Sequence, residues 1–93
     1  MPTAQASVTI PTPARYMARL SNHFAHRVTV HREPESARIE FPNGLGTLQA
    51  TADRLEIRLE ANDATTLERL QEVVGRHLKQ VASAETFEID WSK

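Results

Sequence analysis

Residues 37–61 alternate apolar and polar side chains through three consecutive runs, and that alternation constrains the fold more than any other feature of the chain. Ala37, Ile39 and Phe41, then Leu48, Ala50 and Ala52, then Leu55, Ile57, Leu59 and Ala61 each take every second position. On an extended backbone such residues share one side. The residues between them, Arg38, Glu40, Gln49, Thr51, Glu56, Arg58 and Glu60, are polar. The expected result is an antiparallel meander with one dry face and one wet face. Glu33-Pro34-Glu35-Ser36, Pro42-Asn43-Gly44-Leu45-Gly46 and Asp53-Arg54 supply the breaks. The two glycines of the second break read as turn residues that accept φ > 0. No helix follows that loop to add its dipole, so it is not a phosphate cradle.

The rest of the chain has to cover the dry face. Ala6, Val8 and Ile10 alternate with Ser7 and Thr9 as a short strand that Pro11 ends. Thr12-Pro13 reads as a helix start, with a capping hydroxyl followed by a proline at the first helical position. Helical periodicity then runs from 13 to about 24, with Tyr16, Met17, Leu20 and Phe24 on one stripe. Val28 and Val30 begin the meander. After residue 61, Asn62-Asp63 offers a cap for a second helix to about residue 82, whose stripe is Leu67, Leu70, Val73, Val74, Leu78 and Val81. Gly75 lies off that stripe and costs about 1 kcal/mol against alanine. Phe87, Ile89 and Trp91 alternate with Glu88 and Asp90 as a closing strand. The reading is a two-layer α+β fold, β-α-β-β-β-β-α-β, with about six antiparallel strands and both helices on one face. By analogy its order of elements is TBP-like or helix-grip-like.

Composition excludes several classes. At 93 residues the chain is one domain, residues 1–93. A net charge of −1 gives no broad attraction for polyanions, so no nucleic-acid partner is expected. Zero cysteines exclude disulfides, thiolate metal sites and thiol nucleophiles, which fits a cytoplasmic setting. No run approaches the roughly 20 apolar residues of a membrane span, and residues 1–7 lack the pattern of a signal peptide.

The stretches Arg15-Tyr16-Met17, His23-Phe24-Ala25-His26-Arg27, Arg38-Ile39-Glu40-Phe41-Pro42-Asn43-Gly44, Val73-Val74-Gly75-Arg76-His77-Leu78 and Glu88-Ile89-Asp90-Trp91 resemble, in order and spacing, the bacterial DUF2218 family. The resemblance covers nearly the whole chain. It implies a small bacterial protein without an established activity. Some members resemble modules linked to siderophore-interacting flavin reductases and iron-uptake genes, which implies an iron-related setting. Where many relatives carry a second aromatic after the proline, this chain has Asn43.

Two groups of residues are candidates for function. His77 falls inside the apolar stripe of the second helix, as a buried histidine, while His23 and His26 sit at the end of the first. If both helices cover one sheet face, the three imidazoles converge as ligands for a divalent metal such as Zn²⁺, Fe²⁺ or Ni²⁺. Equally, a histidine near a helix C-terminus bonds an orphan carbonyl and plays a structural part, with no cofactor. The wet face offers His31 together with Arg38 and Arg58, and the guanidinium groups of the two arginines suit the carboxylates of a small anionic ligand or a protein partner. Ser21, Thr29 and Ser36 are scattered hydroxyls without an acidic partner to orient a histidine, so a hydrolytic triad is not expected. The first expectation is therefore a non-catalytic binding or accessory module, monomeric or homodimeric; the second is a metal-binding protein or metal-dependent enzyme using His23, His26 and His77.

Overall fold

The alternating runs fold as a meander, and the computed structural model, which describes residues 1–92, places two helices on its dry face. The elements are β1 (Thr3–Thr9), α1 (Pro13–Ala25), β2 (Thr29–Arg32), β3 (Ser36–Phe41), β4 (Gly44–Ala50), β5 (Arg54–Ala61) and α2 (Ala64–Val81). All neighbouring strands are antiparallel, in the order β1-β5-β4-β3-β2. Because β1 and β2 form opposite edges, α1 must carry the chain across the whole sheet. It does so on a buried stripe of Tyr16, Met17, Leu20 and Phe24, and α2 packs beside it through Leu67, Leu70, Val74 and Leu78. The core between the layers includes Val8, Leu20, Leu55, Leu59 and Leu78, all fully buried. Among the described residues, no helix is long and apolar enough to cross a membrane.

Helix starts divide by local chemistry. The Asp63 carboxylate accepts the Thr66 backbone N–H at 2.7 Å, which caps α2 and holds the Asp63 carboxyl below its usual range. Thr12 does not cap α1 with its hydroxyl. It sits at φ 47° and ψ 58°, a left-handed conformation in which a β-branched residue is strained, and only its carbonyl serves the helix.

Three boundaries differ from the sequence reading. The second break is a two-residue hairpin, Pro42-Asn43, and Asn43 rather than a glycine takes positive φ, at 64°. Gly44 and Gly46 lie inside β4, and neither has positive φ. Ala52 is exposed beyond the end of β4, because Thr51 N–H donates to the Arg54 carbonyl at 2.9 Å and turns the chain there.

The third difference concerns residues 87–91, which form no strand, so among the described residues the sheet has five strands, close to the expected number of about six. Gln5 and Ser92 exchange backbone hydrogen bonds of 2.8 Å in each direction, an isolated bridge on the free edge of β1. Phe87, Ile89 and Trp91 are half-buried against the core. Alternation correctly gave the sidedness of this segment. It did not imply a ladder, since these side chains are held by packing over a helix. Tyr16 ties the start of the segment to α1 by donating its hydroxyl to Glu85 at 2.8 Å, and that bond raises the phenol pKa.

Gly75 now has a physical setting. A Cβ placed on it would stand 3.5 Å from Cδ1 of Ile89, ordinary van der Waals contact. Gly75→Ala should therefore gain helix propensity without a clash and raise stability by up to about 1 kcal/mol, read as a higher urea midpoint. A lower midpoint would show that the segment seats more tightly on α2 than this distance implies.

Candidate functional site

The last turn of α1 and the second half of α2 bring two of the three candidate histidines together. The ring centroids of His23 and His77 are 4.5 Å apart, tilted by 39°. Phe24 stands edge-on to both, at 5.6 Å from His23 and 5.3 Å from His77, and meets Phe41 at 5.2 Å. His77 is half-buried at the rim of the core rather than enclosed by it. Its Nδ1 lies 2.7 Å from the Val73 carbonyl, an acceptor, so Nδ1 carries the proton and Nε2 is left for other work. His26 is exposed as the C-cap residue of α1 and makes no ring contact with either histidine. Among the described residues, no group of three or more His, Cys, Asp or Glu side chains is placed to hold a metal ion.

His23 titrates below the ordinary histidine range, first because its surroundings desolvate the charged form and then because His77, Arg27 and His26 repel it. The unfolded chain therefore binds more protons than the native one as pH falls through the window between the lowered pKa and about 6.5. Stability contributed by neutral His23 is present above that window and lost below it. Melting temperatures measured from about pH 7.5 to about pH 5.5 should fall more steeply for the wild type than for His23→Gln. Parallel curves would remove His23 from the acid response.

These histidines line a cleft of about 470 Å³ with Arg27, Arg76 and Gln80 at its walls and Phe24, Val28, Phe41 and Val73 as apolar lining. Arg27 and Arg76 carry no sequence signal as site residues beyond lying next to His26 and His77. Their convergence depends on how α1 crosses α2.

The wet face of the sheet is organised by register. His31 pairs with Arg38, Arg38 with Thr47, Thr47 with Arg58, and Arg58 with Gln5, so one cross-strand row spans all five strands. All five residues are exposed. His31, Arg38 and Arg58, placed on the wet face by alternation and chosen there for residue type, thus stand in line. His31 contacts the Glu40 carboxylate, and Arg58 pairs with Glu60 at 3.1 Å. Arg38 makes no side-chain hydrogen bond or ion pair among the described residues. Beside Arg58 a shallow cleft of about 440 Å³ opens between β1, β5 and the segment at Asp90 and Ser92. Glu56, Asp90 and Arg58 are its charged lining residues. The strands of this face carry no Phe, Tyr or Trp on their wet side. Of the scattered hydroxyls, Ser21 is fully buried without a hydrogen-bond partner among the described residues.

Comparison with known proteins extends this picture. Residues 5–92 match the family model DUF2218, described as an uncharacterized protein conserved in bacteria. The NMR structure of PA4090 from Pseudomonas aeruginosa is similar to this chain at 33% identity and a TM-score of 0.83, over 99% of this chain and 96% of that one. No curated protein matches the chain.

Proposed function

The chain belongs to the DUF2218 family of uncharacterized proteins conserved in bacteria, and from that premise we propose that it is a non-catalytic binding module that receives anionic groups on its wet sheet face. The observation that carries this reading is the unpaired Arg38 guanidinium in a register row between His31 and Arg58. Arg38 and Arg58 are two strands apart, about 10 Å from backbone to backbone. A single carboxylate cannot reach both, whereas a di- or tricarboxylate, or two acidic side chains of a protein partner, can. Guanidinium groups take carboxylates through paired, charge-assisted hydrogen bonds, so such a ligand would be oriented as well as attracted. Carboxylate-bearing chelators of iron have this chemistry and suit the iron-related setting implied by the family resemblance.

The test is a titration of tag-free protein with citrate and with ferric citrate, followed by amide NMR. Shifts should cluster on β3, β4 and β5 around Arg38, and Arg38→Gln should weaken binding about tenfold, or 1.4 kcal/mol. Arg38 is exposed, so the variant keeps the fold. Binding that is indifferent to Arg38→Gln, or an unperturbed wet face, would refute the reading.

A further inference from the structure

On the helical side of the molecule, the cleft of His23 and His77 has an unusual charge balance. The chain carries 12 acidic residues against 11 Lys and Arg, yet among the described residues no carboxylate lines this cleft. Arg27 and Arg76 do line it, and neither makes a side-chain hydrogen bond or ion pair among the described residues. Two guanidinium groups and two imidazoles thus face one concavity without an internal counter-charge. Its volume of about 470 Å³ lies within the size range of small-molecule sites.

We propose that this cleft binds a small aromatic carboxylate, its ring against the apolar lining and its carboxylate held between Arg27 and Arg76. The lining argues against a bare inorganic anion. Val28 and Val73 are half-buried there, and His23, Phe24, His77 and Phe41 already form a cluster of edge-to-face and tilted rings. A hydrated ion gains nothing from those surfaces, while a further aromatic ring extends the cluster and buries apolar area. The same arrangement argues against a cation. Among the described residues no carboxylate is at hand, and two arginines repel positive charge. Arg27 lies in the turn that follows α1 and Arg76 belongs to α2, so a ligand that bridges them also ties the end of α1 to α2.

The site faces away from the arginine row of the wet face and stands independently of it. Bound anion would also offset the repulsion that His23 feels from His77, Arg27 and His26, with Arg76 the further cation on the α2 side.

Amide and histidine NMR of the tag-free chain, titrated separately with benzoate, benzamide, inorganic phosphate and Zn²⁺, tests this. Benzoate should move the amides of residues 23–28 and 73–80 and bind about tenfold more tightly than uncharged benzamide or phosphate. Arg27→Gln and Arg76→Gln, both exposed positions, should each weaken benzoate about tenfold, and Arg38→Gln should leave it unchanged. Absence of benzoate shifts in these segments would overturn the proposal. So would benzamide or phosphate binding as tightly as benzoate, or Zn²⁺ alone saturating His23 and His77.

Discussion

Leu59→Ala should destabilise the protein by about 3 to 5 kcal/mol, lowering the urea midpoint without changing the slope of the transition. Leu59 has no solvent exposure and lies on β5, the strand that pairs with β1 on one side and β4 on the other. Its side chain reaches so close to β4 that a Cβ on Gly46 would stand 3.3 Å from Leu59 Cδ2. Truncation there loses the transfer free energy of three carbons and leaves a cavity, since Gly46 has no side chain with which to refill it. A domain of this size is stable by only about 5 to 15 kcal/mol, so a large part of the margin would go. Trp91→Ala should do less, because Trp91 is half-buried over α2 and solvent already reaches it. A loss below about 1 kcal/mol at Leu59 would mean that the two layers can close over the gap.

Why Leu59 and not Trp91 anchors the core shows how far the sequence could be read. Period-two alternation identified β3, β4 and β5 and their dry faces, because sidedness depends only on neighbouring residues. It also put Phe87, Ile89 and Trp91 on one side of the final segment. Alternation cannot say whether an extended segment finds a ladder partner. Here the segment makes one bridge, at Gln5, and spends its apolar side chains on a helix flank that includes Gly75. Strand order was illegible for a related reason: β1 pairs with β5 only because α1 crosses the sheet, and crossing is a tertiary outcome. The row of His31, Arg38 and Arg58 depends on turn length. A loop over residues 42–46 gives a different register from the two-residue hairpin observed, and a shift of one residue would turn Arg38 away from Thr47. The cleft on the other side was half legible, through His23 and His77. Arg27 and Arg76 carried no signal beyond lying next to His26 and His77 until packing set them around one space.

Gly44→Ala should destabilise by about 2 to 3 kcal/mol, and the reason separates two roles that glycine can have. A turn glycine is needed for positive φ, whereas a strand glycine marks a close approach of neighbouring backbone or side chains. Gly44 is the second kind. It opens β4, pairs with Phe41 and Ala61, and its φ is not positive. A Cβ there would lie 2.5 Å from Cδ1 of Leu70 and 2.8 Å from the Glu60 carbonyl oxygen. Leu70 can turn aside, at the expense of its seat under α2. Glu60 cannot, because its backbone belongs to β5. The entropic gain that Gly→Ala brings elsewhere in a strand, roughly 0.5 to 1 kcal/mol, is thus outweighed by overpacking. Asparagine distinguishes the roles, since it tolerates left-handed backbone as Asn43 already does at φ 64°. If close approach is the constraint, Gly44→Asn should be at least as damaging as Gly44→Ala. In a Leu70→Ala background the penalty for Gly44→Ala should shrink, because removal of Cδ1 relieves the shorter contact while the carbonyl contact remains. An Asn variant as stable as the wild type, or a penalty unmoved by Leu70→Ala, would return Gly44 to the turn.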